Sequence, residues 1–283
     1  MSIASLPVAD RLSLLPGGER LLAEHAAELP QKNDLCGAFW GCLALRATGW
    51  TATPDGDVLD QDAVGIRAGS VLPAHPEEEP LPPGEVGRTD YRLDFPLIED
   101  TTRSGTSTQG AIRAVDAISE GGLEAVPVSG PFETDDLRAL LAAVREVGAP
   151  CAVVLNVGTR YLWGAHPDAA AVEAYLATGD DAVGPPADWD VGHFVGCAGT
   201  VDGDRGTLVL IADTYPTLGP GGLHLQPIER VAHALRRPDI PGDGGVIVYI
   251  GSAAASDLRA RLEAAGLRLG LWDNGSPDLA DAP

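Results

Sequence analysis

With 283 residues, of which 45% are hydrophobic and 21% charged, the chain is long enough for a sizeable core and too apolar for global disorder. Its 41 acidic residues against 19 basic ones give a net charge of −22, which disfavours binding to nucleic acid or to anionic membrane surfaces. The sequence has neither an apolar run of about 18 residues nor a basic, apolar leader, so we expect a cytoplasmic protein with no membrane span.

The first hundred residues are predicted to hold two helices and then a long insertion. Residues 18–29 place apolar side chains at helical spacing, and residues 36–47 are apolar on nearly every face, as in a buried helix. Asp34 is the expected N-cap of that second helix. Residues 1–30 are therefore interpreted as a helical extension. Residues 51–104, rich in Pro and Glu, form a mostly irregular insertion with short strands around Val58 and at 91–95.

The rest of the chain alternates predicted helices with predicted strands. Helices are expected at 108–119, 135–147 (capped by Thr134), 168–177, 227–237 and 255–265. Strands are expected at 123–128, 151–157, 193–201, 207–213, 245–250 and 267–272. The turn DGDRG joins two of these strands into a hairpin, and helices that precede an antiparallel sheet indicate a single α+β domain over residues 1–283.

The segment QKNDLCGAFWG, residues 31–41, is the strongest chemical signal in the sequence. It places Cys36 in the first turn of an apolar helix, where backbone amides and the helix dipole favour a thiolate nucleophile. Gln31 is a candidate donor to an oxyanion, and Gly37 allows close approach of a substrate, with Trp40 a further candidate substrate contact. The alternative is a core cysteine on a buried helix.

A second signal lies on the predicted hairpin. His193 opens an apolar strand in GHFVGCAGTV, and Asp213 ends the neighbouring strand 20 residues later. The hairpin brings the two together, so His193 is a candidate general base and Asp213 the acid that fixes its tautomer. Trp189 and Asp190 precede His193 and are expected to line the cleft, with Asp190 the second candidate for orienting the histidine. A structural histidine and a turn aspartate remain the alternatives.

The remaining cysteines and histidines give no further site. Cys42, Cys151 and Cys197 show neither a paired metal-binding spacing nor a disulfide pattern, and are expected to be core residues. The other histidines are scattered along the chain. We therefore expect no metal and no other cofactor.

The two segments and the acid that follows them resemble the papain-like cysteine peptidase superfamily, and within it the bacteriocin-processing, double-glycine-leader peptidases and their peptidase-like relatives. Those proteins carry a Gln, an Asp-Cys-Gly at the start of a helix, a His-Phe/Trp-Val strand and an Asp about twenty residues on. The resemblance covers about 31–50 and 105–236. It implies that Gln31 serves the oxyanion, Cys36 is the nucleophile, His193 the base and Asp213 the orienting acid.

This sequence departs from that pattern in three places. Asp34 stands two residues before Cys36 rather than next to it, Thr214 follows the acid where relatives often have Pro, and the insertion 51–104 has no counterpart. The resemblance implies a papain-like fold, in which a helical part carrying the nucleophile packs on an antiparallel sheet carrying His193 and Asp213.

The function implied is thiol-dependent hydrolysis or acyl transfer through a Cys36 thioester, on a peptide, amide or carrier-bound acyl substrate, with a natural-product pathway as one setting. The motif does not separate water from an amine as the acyl acceptor. The alternative is a catalytically silent, peptidase-like binding module. The sequence leaves the oligomeric state open, and we expect the insertion 51–104 to border the cleft because it follows the nucleophile helix.

Overall fold

A computed structural model describes residues 3–76, 80–238, 240 and 242–278. Its helices are α1 Gly18–Glu28, α2 Cys36–Thr48, α3 Gln61–Ala68, α4 Thr108–Ser119, α5 Thr134–Val147, α6 Ala169–Thr178, α7 Ile228–Ala234 and α8 Ser252–Ala264. Its strands are β1 Leu12–Leu14, β2 Leu72–Pro73, β3 Leu97–Ile98, β4 Leu123–Ser129, β5 Cys151–Gly158, β6 Gly192–Asp202, β7 Thr207–Ala212, β8 Leu223–Pro227, β9 Gly245–Gly251 and β10 Arg268–Leu269. Residues 77–79 of the predicted insertion lie outside the described residues.

One antiparallel sheet organises the molecule. Eight strands of the described residues form it in the order β10-β4-β9-β5-β6-β7-β8, with β1 also paired to β6. The 11-residue β6 pairs with β7 on one side and with β5 and then β1 on the other. The chain is therefore α+β, as predicted. The N-terminal 30 residues, expected to be helical, also supply β1 to this sheet.

Helices cover both faces of the sheet. Along β9, Ile247 and Tyr249 face a core shared with α1, α2 and α4, whereas Val246 and Val248 face a core shared with α5, α7 and α8. Strands buried on both faces read as continuous apolar runs, which is why β5 and β9 were recognisable in the sequence. The helix carrying Cys36 belongs to the first of these cores and packs on β5 and β6.

The insertion is more regular than predicted. It contains α3, which packs on α2 and α4, and the two-stranded parallel pair β2–β3. The expected strand at 91–95 is wrong, since the strand there is Leu97–Ile98. The helix α3 was not predicted because Gly65 interrupts its helical pattern. A Cβ at Gly65 would lie 2.9 Å from Cε1 of Phe95, so the glycine leaves room for this ring.

Two predicted N-caps are also wrong. Leu35, rather than Asp34, is the N-cap residue of α2. Glu133, rather than Thr134, caps α5 and forms a reciprocal capping box with Asp136. Strand β8 was not predicted at all, because five residues directly after a glycine-rich loop give too short a pattern. Among the described residues, the helices are too short or too polar to cross a bilayer.

Candidate active site

Cys36 is the first residue of α2. The N-cap residue Leu35 has an apolar side chain that cannot accept a hydrogen bond, so it leaves the first amides of the helix to other partners. Asp34 turns the chain into the helix with a left-handed backbone at φ 60°. The amides and the helix dipole favour negative charge at this end, where Cys36 lies half-buried in a cleft.

His193, the second residue of β6, interacts with Cys36 across the cleft. Its Nε2 atom lies 3.0 Å from Oδ1 of Asp213 and 3.1 Å from Oγ1 of Thr214. Nδ1 is therefore the ring nitrogen available to the thiol. Burial acts to lower the pKa of His193, but the Asp213 carboxylate and the hydrogen bond with Cys36 raise it to about 10.

Asp213 follows β7 and is fully buried. Its Oδ1 accepts hydrogen bonds from His193 and from the backbone amide of Thr214, the latter at 2.7 Å, while its Oδ2 lies 3.4 Å from Nε2 of His224. Burial alone would raise the pKa of Asp213, but the two imidazoles hold it well below its usual range. The carboxylate is therefore a fixed negative charge behind His193.

A chain of hydrogen bonds fixes the tautomer of His224. Backbone N–H of Trp163 donates to Oε1 of Gln226 at 2.7 Å, and Nε2 of Gln226 donates to the Trp163 carbonyl at 3.0 Å. The same amide nitrogen lies 2.8 Å from Nδ1 of His224, so Nδ1 accepts and Nε2 carries the hydrogen that faces Asp213. Sequence analysis missed His224 and Gln226 because it did not predict β8.

Two aromatic rings bracket the imidazole of His193. The Trp189 ring meets it edge-on at a centroid distance of 4.9 Å, and the Tyr215 ring stacks on it at 6.4 Å. Trp189 and Asp190 both line the cleft. Asp190 forms an ion pair with Arg160 at 3.2 Å, so Asp213 rather than Asp190 orients the histidine.

Gln31 lies on the nucleophile side of the cleft. Its backbone amide donates to the Thr214 carbonyl at 2.9 Å, and its Nε2 donates to the Tyr215 hydroxyl at 3.1 Å. Its Oε1 is buried and has no hydrogen-bond partner among the described residues. The side chain thus reaches across to the aromatic wall, and its carbonyl oxygen remains unbonded.

Asp34 is a second incompletely bonded group beside Cys36. The Ser104 hydroxyl donates to its Oδ1 at 2.6 Å, while its Oδ2 is buried with no hydrogen-bond partner in the described ranges. Burial raises the pKa of Asp34 to about 6, against the opposing effect of Ser104. The carboxyl therefore changes its charge close to neutral pH. In the sequence, only the position of Asp34 two residues before Cys36 indicated that it lies at the site.

The insertion holds the segment that leads to Cys36. Lys32 forms a buried ion pair with Asp62 of α3 at 2.8 Å, and its ammonium also donates to the Asp90 carbonyl at 2.8 Å. Oδ1 of Asn33 accepts from the Arg88 backbone amide at 2.9 Å. Residues distant in sequence thus fix the position of the loop that carries Gln31 and Asp34.

A buried arginine lies close to Cys36 and His193. Nη1 of Arg237 donates to Oδ1 of Asn156 at 2.7 Å, and Nδ2 of Asn156 lies 3.4 Å from the His193 carbonyl. A Cβ on Gly192 would lie 2.3 Å from Nη2 of Arg237, so a larger residue beside His193 would require the guanidinium to move. Burial lowers the pKa of Arg237 to about 10 despite the opposing charge of Cys36, so the arginine remains cationic at neutral pH.

Two predicted substrate contacts are wrong. Trp40 is fully buried, and its Nε1 donates to the Phe194 carbonyl at 3.0 Å, so it joins α2 to β6 within the core. Gly37 is buried, and a Cβ there would lie 2.9 Å from Cβ of Thr106. This glycine makes room for Thr106 rather than for a substrate. Neither residue lines the cleft.

The other three cysteines differ from Cys36 in burial. Cys42, Cys151 and Cys197 are buried, and burial raises the pKa of each thiol to about 12. Each is therefore a protonated core residue at neutral pH.

The cleft itself has a volume of about 370 Å³. Cys36, Gln31 and Asp34 line one side, with His193, Trp189 and Tyr215 opposite. The insertion contributes further lining residues, namely Pro80, Leu81, Thr101, Thr102 and Ser104, and Gly105 directly after it also lines the cleft. The volume falls in the lower part of the range for small-molecule sites. Within the described residues, no cluster of three or more His, Cys, Asp or Glu side chains is arranged to hold a metal ion.

The chain belongs to DUF6885, a family of unknown function, whose model matches residues 15–273. That range contains both walls of the cleft and the insertion. No curated protein matches the sequence.

Proposed function

We propose that the protein is a thiol-dependent hydrolase or acyl transferase related to the papain-like cysteine peptidases, in which Cys36 forms a thioester with the acyl group of its substrate. The observation that carries the proposal is the order of three side chains. Cys36 on one wall of the cleft interacts with His193 on the other wall, and Asp213 holds His193 from behind. A thiol beside an imidazole whose far nitrogen is held by a carboxylate is the arrangement that nucleophilic catalysis requires.

In the proposed resting state the Cys36 proton already lies on Nδ1 of His193, so the reaction begins from a thiolate beside an imidazolium. The sulfur then bonds to the substrate carbonyl carbon, and the carbonyl electron pair moves onto the oxygen. When this intermediate collapses, the bond to the leaving amine or alcohol breaks and His193 returns the proton to it. Water or an amine, deprotonated by His193, then attacks the thioester and releases Cys36.

The developing oxyanion needs donors near Cys36. The backbone amide of Cys36 is one, and the Gln31 side chain is the second. Rotation of the Gln31 amide by half a turn lets the Tyr215 hydroxyl donate to Oε1 and frees Nε2 for the oxyanion. Tyr215 has the proton this needs, because burial raises its pKa well above the usual value.

Acylation by an activated ester tests the proposal directly. We expect p-nitrophenyl acetate to acetylate Cys36, identified by peptide mass spectrometry, with release of nitrophenol in a burst. Cys36→Ala should abolish the burst, and Cys42→Ala, on the same helix, is the matched control that should keep it. Acetylation spread equally over the cysteines would contradict the proposal and favour the silent binding module.

Adding a primary amine to the trapped acyl-enzyme then separates the two reaction types. Faster loss of the acetyl group with appearance of the acetylated amine indicates transfer. A loss rate independent of the amine indicates hydrolysis.

A further inference from the structure

One segment of the insertion crosses between the two walls of the cleft. This strap, residues 80–88, begins at Pro80, whose carbonyl accepts a hydrogen bond from Nε1 of Trp189 at 2.7 Å. Leu81 packs with Trp189 and Tyr215 in a small apolar cluster. Pro80 and Leu81 both line the cavity that contains Cys36. The beginning of the strap is therefore attached to the His193 wall.

The other end of the strap is attached to the nucleophile wall. The Arg88 amide donates to Oδ1 of Asn33 and its carbonyl accepts from the Asn33 amide, both at 2.9 Å. Between the two ends, Oε1 of Glu85 accepts from the backbone amide of Thr217 at 3.0 Å and from its hydroxyl at 2.7 Å. Asn33 stands three residues before Cys36. The strap is thus bonded to both walls, and its first two residues line the cavity between them.

This arrangement limits what reaches Cys36. An internal amide of a long chain has polymer on both sides, so its attack by Cys36 requires a groove open at both ends. A strap that is bonded to both walls, with Pro80 and Leu81 lining the cavity, would block one of those ends. The remaining cavity of about 370 Å³ suits a small acyl compound or the end of a chain.

Resting on the thiol chemistry proposed above, we infer that the site accepts compact amide or acyl substrates, or the terminal residue or two of a peptide, and excludes internal peptide segments. The strap is the element that selects them. Pro80 and Leu81 set the size of the closed end, and Glu85 holds the strap in place from outside the cavity.

Three fumaramide probes test this inference, because a thiolate adds to their double bond and the adjacent carbon takes up the proton. The first is fumaramide itself, the second carries three amino acids on one side, and the third carries three on each side. We expect Cys36 to react with the first two at comparable rates. The two-sided probe should react slower by roughly tenfold or more, since misplacement of the reacting carbon costs at least that much.

The outcomes separate the inference from the function on which it rests. Equal rates for the one-sided and two-sided probes overturn the inference and leave the thiol chemistry standing. A Cys36 that reacts with fumaramide itself no faster than Cys42 overturns both.

Glu85 supplies the matched pair of variants. Glu85→Ala frees the strap from Thr217 and should speed the two-sided probe while leaving fumaramide unchanged. Glu85→Gln keeps an acceptor oxygen and should behave as wild type. An unchanged two-sided rate in Glu85→Ala would contradict the role of the strap, and the wild-type probe series does not depend on how either variant folds.

Discussion

The two walls of the cleft differ in how completely their polar groups are bonded. On the His193 wall, Asp213 accepts from two imidazoles and a backbone amide, and Gln226 uses both ends of its amide. On the nucleophile wall, Oε1 of Gln31 and Oδ2 of Asp34 are buried without a hydrogen-bond partner in the described residues. A complete buried network is rigid, whereas unpaired buried groups cost free energy until something pairs with them.

Because of this difference, we expect the two walls to contribute to the proposed reaction in different ways. The His193 wall is organised before any substrate arrives, so the base has one tautomer and one orientation. In the proposed reaction, the bonding of the polar groups on the nucleophile wall, which carries Cys36, changes when an oxyanion forms. Contacts from the insertion, rather than local sequence, hold that wall in place. Substitutions on each wall can therefore be compared by their effects on activity and stability.

The largest expected effect is on the His193 wall. Asp213→Asn removes the negative charge that holds His193 in its protonated state, so Cys36 acetylation by p-nitrophenyl acetate should slow by roughly a thousandfold. Stopped-flow release of nitrophenol measures it. Asp204→Asn, on the exposed turn between β6 and β7, is the control and should leave the rate unchanged. A loss below about threefold would remove Asp213 from the mechanism.

Next comes the ion pair that fixes the nucleophile wall. Lys32→Met leaves Asp62 buried and unpaired, and should lower the free energy of unfolding by about 3–5 kcal/mol in urea titrations. The double variant Lys32→Met with Asp62→Leu removes both charges and should recover most of that loss. If the double variant is as unstable as the single one, the charge pair is not what anchors the insertion.

Asp34 makes a pH-dependent contribution of smaller size. Its pKa is raised to about 6 in the folded protein, so the folded state binds the proton more tightly than the unfolded state does. The resulting stability is complete below the unfolded pKa near 4 and is lost as the pH rises through 6. Asp34→Asn should therefore stabilise the protein at pH 8 by up to about 3 kcal/mol relative to its effect at pH 4. Asparagine also tolerates the left-handed backbone at this position.

Thermal unfolding at several pH values checks this prediction. Asp57→Asn, which removes an exposed acid of the insertion, is the control. A stability difference between Asp34→Asn and wild type that is flat from pH 4 to pH 8 would contradict the assigned titration.

The smallest effect concerns the outer part of the His193 network. Gln226→Leu keeps the approximate volume but leaves Trp163 and His224 without their partners, and should cost about 1–3 kcal/mol of stability. Cys36 acetylation should fall by about tenfold, because His224 then lacks the bond that sets its tautomer. Gln226→Glu restores the acceptor but not the donor, and so should recover only the hydrogen bond from the Trp163 backbone amide. Full activity in Gln226→Leu would show that Asp213 needs no support from His224.

Sequence reasoning succeeded where the signal is local. The apolar helix starting at Cys36 and the hairpin carrying His193 could be predicted because periodicity and turn chemistry act over a few residues. It failed where the cause is distant in sequence. The hydrogen bond from Ser104 to Asp34 and the ion pair of Lys32 with Asp62 join segments that are far apart in sequence. No local sequence pattern predicts such contacts.

The errors have the same origin. Trp40 lies one helical turn after Cys36 and on the same face of α2, but that face enters the core within one turn, so the indole is fully buried. Gly37 was expected to admit a substrate, whereas the side chain it admits is Thr106. His224 and Gln226 lie on a strand too short to predict, although they complete the support of Asp213.

Iodoacetamide labelling of each cysteine across pH, followed by peptide mass spectrometry, determines whether Cys36 is a thiolate beside a protonated His193. Because the pKa of His193 is raised to about 10, His193 is a protonated imidazolium beside Cys36 at neutral pH. Cys36 should therefore label rapidly near pH 6, while Cys42, Cys151 and Cys197 stay unmodified, and His193→Ala should abolish the difference. If Cys36 labels only as the pH approaches the pKa of an ordinary thiol, both in wild type and in His193→Ala, there is no thiolate–imidazolium pair. The protein is then not a thiol enzyme.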